Sequence, residues 1–217
     1  MGGTITVKGT GNISVMPDLT IVSISLKSTD RDYKKAMECA SRKLSVLQEA
    51  LSNIGFANAE LKTTNFNVMV EQEGIRDENG NYKSVFVGYS CVQGLKLEFD
   101  YNTKILANVL STIAACLSEP EINIRFSVRD KAAVNEALLE SAAANARKKA
   151  EILTKASGVK LGELVSINYS WAELDIRSNT CYAIEEKCMG AVNTIDIDIT
   201  PEDIEVGDSA TFVWTIE

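Results

Sequence analysis

Alternation of apolar and polar residues predicts most of the strands in this chain. Residues 19–26 alternate over eight positions with little polar character on either face, which is typical of a largely buried strand. The same period of two recurs in residues 122–128, 164–169, 195–199 and 210–216. The pattern indicates a protein rich in strands, with helical segments between them.

Apolar residues at helical spacing predict two long helices and one shorter helix. An acidic or hydroxyl residue that can act as an N-cap precedes both long helices, and a glycine that can adopt the left-handed conformation follows each of them. The predicted bounds, with the capping residues included, are Thr29 or Asp30 to Gly55, Thr103 to Leu117 before Pro120, and Asp130 to Ser157 or Gly158.

A long hairpin is predicted between the first and second helices. Residues 61–70 and 82–99 read as strands, and Asn79-Gly80 between them supplies the positive φ angles of a tight turn. The second strand is longer than most strands in globular proteins, so we expect it to bend or bulge at Gly88 and Gly94.

The fold class that follows is α+β, with a mixed, largely antiparallel sheet and a strand–helix–strand unit that occurs twice. We interpret residues 1–217 as a single domain with possible sub-units at 1–100 and 101–217. Residues 171–192 lose the regular pattern and are expected to form an irregular insertion that contributes nothing to the core.

The net charge and the cysteine content indicate which kinds of partner and which cellular compartment to expect. The formal net charge is −8, and no basic patch is present to neutralise phosphates, so nucleic acid is not expected as a partner. Five cysteines without a close pair are expected to be free thiols, as in a reducing compartment. With no signal-peptide pattern and no transmembrane segment, the sequence predicts a cytoplasmic protein, or a periplasmic or cell-envelope protein if a signal peptide has been removed.

The candidate chemical motifs are incomplete. Gly9-Thr10-Gly11 lacks the third glycine and the following helix of a dinucleotide fingerprint, so a bulge or turn is favoured there. Cys181 and Cys188 have no histidine or second pair to complete a zinc site. The acidic residues between 196 and 203 lack the spacing of a calcium loop and are interpreted as a solvated strand face. We therefore expect no catalytic, cofactor-binding or metal-binding residues.

Several short blocks, in order and over almost the whole chain, resemble the SIMPL-domain family. This family includes bacterial periplasmic immunogenic and oxidative-stress-defence proteins. The matching blocks are Ile5-Thr6-Val7-Lys8-Gly9-Thr10-Gly11 with Pro17-Asp18; Gly55 with Leu61-Lys62-Thr63-Thr64-Asn65-Phe66; Gly88-Tyr89; Ala142, Ala146, Lys149-Ala150-Glu151, Gly158 and Leu161-Gly162; and Pro201, Ile204 and Val206. The resemblance implies an α+β fold, no established catalytic residues and ring-like or channel-like homo-oligomers.

Three classes of function remain open from the sequence: a non-enzymatic self-associating scaffold or interaction protein linked by resemblance to stress tolerance, a small-ligand-binding protein, and an enzyme using carboxylate or lysine chemistry. The first is preferred, since a long strand with apolar residues beyond one small core favours self-association. The expected interface of the homo-oligomer comprises Val70, Val85, Phe86 and Val87.

Overall fold

The computed structural model describes residues 2–76, 82–116, 120–170, 174–184 and 199–217, and it confirms the α+β class. The helices are α1 (Tyr33–Asn53), α2 (Thr103–Cys116) and α3 (Lys131–Ala156). The strands are β1 (Gly3–Val15), β2 (Leu19–Asp30), β3 (Lys62–Arg76), β4 (Tyr82–Asp100), β5 (Glu121–Ser127), β6 (Leu161–Asn168), β7 (Arg177–Ile184) and β8 (Ile204–Ile216). Two long helices and one shorter helix are present, as predicted.

The strands form two sheets. One has three strands in the order β1-β8-β6, and the other has five in the order β3-β4-β2-β5-β7. The pairs β1–β8, β6–β8, β2–β4 and β3–β4 are antiparallel. The predicted turn at Asn79-Gly80 and the predicted strand at residues 195–199 fall wholly or mostly outside the described residues.

The chain divides into two compact units whose bounds differ from those predicted. One unit comprises Met1–Asp18, Ser127–Asn179 and Pro201–Glu217, and the other comprises Leu19–Phe126 and Thr180–Thr200. The predicted division at residue 100 is therefore not where the units separate. Because both sheets draw on strands distant in sequence, the chain passes between the units several times, which a linear division cannot represent.

The core of the larger unit is aliphatic and lies between the five-stranded sheet and helices α1 and α2. Alternate residues of β2, β4 and β5 supply one side, and the apolar stripes of both helices supply the other. The fully buried members include Val22, Ile24, Leu47, Leu97 and Phe126. Period-two strands and period-3.6 helices thus bury their apolar residues against each other, as the sequence pattern requires.

Helix α3 packs on the three-stranded sheet through a stripe of small residues. Every fourth position of the helix is buried, and three of these positions are Ala142, Ala146 and Ala150. The strand beneath them carries Gly9 and Gly11, which face the helix backbone: a Cβ atom on Gly9 would overlap the Ala142 carbonyl oxygen and lie 2.7 Å from Ala146 Cβ. Small residues on both surfaces therefore permit an unusually close approach of helix and strand.

The bulge or turn predicted at Gly9-Thr10-Gly11 is wrong. Strand β1 runs in continuous antiparallel register with β8 from Gly3, opposite Ile216, to Val15, opposite Ile204. The glycines are needed for the close approach of α3, not for a change in chain direction.

Two irregularities interrupt the long hairpin close to the glycines where the sequence predicted them. The register between β3 and β4 shifts at Thr64, beside Gly94, and again at Val87, beside Gly88. The first extra residue lies on β3, whereas the prediction placed both on β4. Gly94 leaves room for the displaced strand, since an added Cβ would lie 2.8 Å from the Thr64 hydroxyl oxygen.

The helix ends follow the predicted chemistry with one shift in position. The N-cap of α1 is Asp32, whose side chain accepts a hydrogen bond from Lys35 N at 3.1 Å; neither Thr29 nor Asp30 is the cap, because both remain in β2. Asp130 caps α3 as predicted, accepting from Ala133 N at 2.9 Å. Gly55 and Gly158 have positive φ angles of 102° and 71°, as expected for left-handed residues after a helix.

The irregular insertion predicted at residues 171–192 is wrong for its described part. Residues 177–184 form β7, the edge strand of the five-stranded sheet, and Ile176 is buried. Ser127 donates a hydrogen bond to the Ile176 carbonyl at 2.5 Å, and Ser178 donates one to the Glu202 carbonyl at 2.7 Å. Polar residues at alternate positions hid this strand from the pattern analysis, because their partners come from distant parts of the chain.

Gly9→Ala should destabilise the fold by about 1–3 kcal/mol, because the added methyl group overlaps the backbone of α3. Gly74→Ala is the matched control: it also lies in a strand, but no atom lies within 4 Å of its added Cβ. Denaturant unfolding followed by circular dichroism measures both. Equal stabilities for the two variants would contradict the proposed close contact.

Ile176→Ala should cost about 2–5 kcal/mol, as expected when a buried isoleucine is truncated within a packed cluster. Tyr182→Ala, at an exposed position of the neighbouring strand β7, should change stability much less. A thermal melt of each variant provides the comparison. A negligible effect of Ile176→Ala would restore the interpretation of this segment as an insertion without core residues.

Candidate functional site

Strands β3 and β4 continue beyond the end of β2. The last residue pair between β2 and β4 is Asp30 with Tyr89, whereas β3 and β4 remain paired as far as Arg76 with Tyr82. Within the described residues, Glu71–Arg76 and Tyr82–Gly88 therefore form a two-stranded extension of the sheet, which together with the adjoining Val70 we name the β3–β4 arm. Isolated two-stranded ribbons are marginally stable in water, so such an extension draws stability from whatever packs on it.

The end of β2 fixes where the arm begins. Asp30 Oδ1 accepts a hydrogen bond from Asp32 N at 2.8 Å, which turns the chain into α1. Gly88 passes this turn closely, since an added Cβ would lie 2.6 Å from the Asp30 carbonyl oxygen. Gly88, which the sequence marked only as a possible bulge, thus lies where β4 leaves its second neighbour.

All four residues predicted as an interface lie in the arm and are exposed. Their exposed fractions are 53% for Val70, 37% for Val85, 50% for Phe86 and 41% for Val87. Ile75 and Tyr82, also in the arm, are exposed as well. A cluster of large apolar side chains is unusual on a free surface and typically marks an interaction site.

The shift at Val87 determines which of these residues share a face. Paired residues of neighbouring strands project to the same side, and β3–β4 pairing passes from Glu71–Gly88 directly to Gln72–Phe86. Phe86 is thereby brought to the face of Val70 and Tyr89, while Val85 lies on the opposite face. Without the extra residue, Phe86 and Tyr89 would lie on opposite faces of the strand.

An aromatic cluster links the arm to the first turn of α1. Tyr89 makes edge-to-face contacts with Phe86, at a centroid distance of 5.4 Å, and with Tyr33, at 5.6 Å. The apolar pattern at helical spacing that predicts α1 did not reveal this role of Tyr33, whose side chain is half exposed. The signal available in the sequence was its position immediately after the acidic capping residues.

The other face of the arm carries charged residues. The Lys27 ammonium lies 3.0 Å from the Glu71 carboxylate, and its hydrogen bond lowers the pKa of Glu71 below the usual value for glutamate. Glu73 and Lys83 occur farther along this face and are exposed. The arm therefore has one face with the aromatic residues Phe86 and Tyr82, and an opposite face on which Val85 and Ile75 lie among charged residues.

The remaining candidate motifs are not brought together into a chemical site. Cys181 is an exposed free thiol on β7, and Cys188 lies outside the described residues. Of the acidic group, Asp196 and Asp198 also lie outside them, and Glu202 and Asp203 are exposed. In the described ranges no three histidine, cysteine, aspartate or glutamate residues are grouped as metal ligands. No helix among these ranges is long and apolar enough to cross a membrane.

A family model described as SIMPL, protein of unknown function (DUF541), matches residues 5–214. The chain belongs to the SIMPL family. It is also similar to two proteins each named 26 kDa periplasmic immunogenic protein, from Brucella melitensis biotype 1 (strain 16M) and Brucella abortus (strain S19), at 26% and 25% identity over 169 residues. Each match covers 76% of this chain and 65% of the relative, so less than two thirds of the relatives' length is matched.

Thiol reactivity should separate exposed from buried cysteines. Burial raises the pKa of the Cys91 and Cys116 thiols, so less reactive thiolate is present at neutral pH and both should label slowly in the folded SIMPL protein. Cys181 should label rapidly. A chromogenic disulfide reagent measures the rates in a Cys188→Ser background, and adding Cys181→Ser should remove the fast phase. Rapid labelling of Cys91 or Cys116 before denaturation would contradict this assignment.

Proposed function

We propose that this SIMPL protein is a non-catalytic, self-associating scaffold whose copies assemble through the β3–β4 arm. The observation that carries the proposal is the exposure of Val70, Phe86 and Val87 on a two-stranded ribbon. The family description and the names of the relatives mention no catalytic activity.

Burial of the arm gives a physical reason for association. Fully burying a phenylalanine or valine side chain contributes about 1.5–3 kcal/mol, and covering the half-exposed side chains of the arm would gain part of this for each of them. In the described part of the sheet β3 is an edge strand paired only with β4, and another strand can add to such an edge. A ribbon with both features is stabilised when a second strand or apolar face covers it.

Charge supports a second copy of this chain as the partner. The protein has a formal net charge of −8, which opposes non-specific association between copies. The arm itself carries Glu73 on β3 and Lys83 on β4, so the arms of two copies can place opposite charges against each other. Such pairing selects arm-to-arm contact over contact between other acidic surfaces.

We propose the periplasm or cell envelope as the compartment. The cytoplasmic location expected from the sequence is not supported, since both relatives are named as periplasmic. Free cysteines are compatible with this location when, like Cys91, they are buried away from oxidants. A role in stress tolerance rests on the family resemblance, and survival of a deletion strain under peroxide would test it.

Phe86→Lys and Val87→Lys should each weaken self-association by tenfold or more while leaving the unfolding temperature of the dissociated protein nearly unchanged. The reason is that lysine adds a desolvation cost at an interface but is tolerated at an exposed position. Analytical ultracentrifugation over a concentration series measures the association constant.

Ile152→Lys is the matched control, because it makes the same kind of change at an exposed apolar position of α3, remote in sequence from the arm. It should retain the parent's association. A parent protein that is monomeric at micromolar concentration, or equal weakening by all three variants, would reject the arm as the interface.

A further inference from the structure

The outer edge of β1 is occupied by two side chains of α3. Thr10 N donates a hydrogen bond to Asn145 Oδ1 at 3.1 Å, and Lys149 Nζ donates one to the Lys8 carbonyl oxygen at 3.1 Å. Asn145 and Lys149 are four residues apart and so lie on the same side of the helix. Both contacts are made to the backbone of β1, and Asn145 Oδ1 also accepts a hydrogen bond from the Thr10 hydroxyl at 3.4 Å.

These two backbone groups are the ones an additional strand would use. In an antiparallel pair, a residue directs its N–H and C=O groups either both toward its partner or both away from it. Because Thr10 N–H bonds to Asn145, Thr10 and its second neighbour Lys8 are the residues that face away from β8. The Lys8 carbonyl and the Thr10 amide flank Gly9, and together they would bind the N–H and C=O groups of a strand lying alongside.

We propose that Asn145 and Lys149 act as a strand mimic that blocks the pairing of β1 with β1 of a second copy. Asn145 Oδ1 takes the place of an incoming carbonyl oxygen, and Lys149 Nζ takes the place of an incoming amide. The glycines at positions 9 and 11 allow the helix to lie low enough on the strand for both side chains to reach its edge.

The two edges of the three-stranded sheet differ in their need for such a block. Strand β6, at one edge, has two register shifts against β8, and such irregularities disfavour the addition of a strand. Strand β1, at the other edge, runs 13 residues in register without a shift, and β8 is its only neighbouring strand in the part of the chain that is described. A long regular edge is the one that most readily recruits another chain.

The test compares two double variants, both made in a Phe86→Lys background so that association through the arm does not obscure the result. Asn145→Leu/Lys149→Met removes both edge contacts with little change in side-chain size. Ala144→Leu/Lys148→Met introduces the same two residues, with the same loss of charge, at exposed positions one residue earlier on α3. Comparing the Phe86→Lys protein with the unmodified protein reports on association through the arm. A failure of the arm proposal is therefore detected separately from a failure of the β1-edge proposal.

Light scattering over a concentration series should show the Asn145→Leu/Lys149→Met protein rising toward the mass of a dimer or larger species, while the control keeps the mass of the parent. Hydrogen exchange in dilute solution should be roughly fivefold faster at the Thr10 amide, corresponding to the loss of one hydrogen bond. At high concentration the same amide should become protected by the new strand.

Conservative substitution provides a rescue. Asn145→Asp/Lys149→Arg keeps an oxygen acceptor and a nitrogen donor at these positions, and it should retain the mass of the parent. If the Asn145→Leu/Lys149→Met protein lacks a cooperative melt, the single variant Lys149→Met is used in its place. Equal masses for the edge and control variants, or association of the conservative variant as strong as that of Asn145→Leu/Lys149→Met, would overturn the proposal.

Discussion

The close approach of α3 to the backbone of β1 is the contact on which the smaller unit depends. Gly9 and Gly11 on the strand, and Ala142 and Ala146 on the helix, remove the side-chain layer that normally separates a helix from a sheet. Dispersion attraction falls steeply with distance, so this proximity compensates for the small apolar area of alanine and glycine. The same contact brings polar side chains of the helix to the strand edge.

The other unit is held together differently. Its core consists of large aliphatic side chains between the five-stranded sheet and two helices, and it tolerates the irregular register of the long hairpin. Residues of β4 from Cys91 to Phe99 that face this core are buried, whereas Tyr82–Val87, beyond the end of β2, are exposed. One strand thus belongs partly to a packed core and partly to a surface available for binding.

Strand edges give a common physical basis for both proposals. An edge with regular register and free backbone groups binds other strands unless side chains or bulges prevent it. In this SIMPL protein the β1 edge has contacts from Asn145 and Lys149, and the β6 edge is irregular. The β3–β4 arm instead carries exposed aromatic and aliphatic residues. If both proposals hold, association is directed to one ribbon while the sheet beside α3 stays closed.

The sequence by itself determined the fold class, the three helices, the long hairpin and the exposed residues of the arm, because these follow from local periodicity and capping chemistry. The chain pattern also located the hairpin irregularities beside Gly88 and Gly94. What it could not determine depends on residues far apart in sequence. Strand β7 and Ile176 just before it are stabilised by hydrogen bonds from Ser127 to the Ile176 carbonyl and from Ser178 to the Glu202 carbonyl, so the pattern of the strand alone did not reveal it.

Tertiary structure alone decided the role of Gly9 and Gly11 and the grouping of Tyr33 with Tyr89 and Phe86. A glycine pair reads the same whether it serves a turn or a close contact, since only the neighbouring element distinguishes them. Likewise, a tyrosine at helical spacing reads as a core residue until the position of the adjacent strand is known. Local sequence sets which face a residue occupies, and the three-dimensional neighbours determine whether that face is covered.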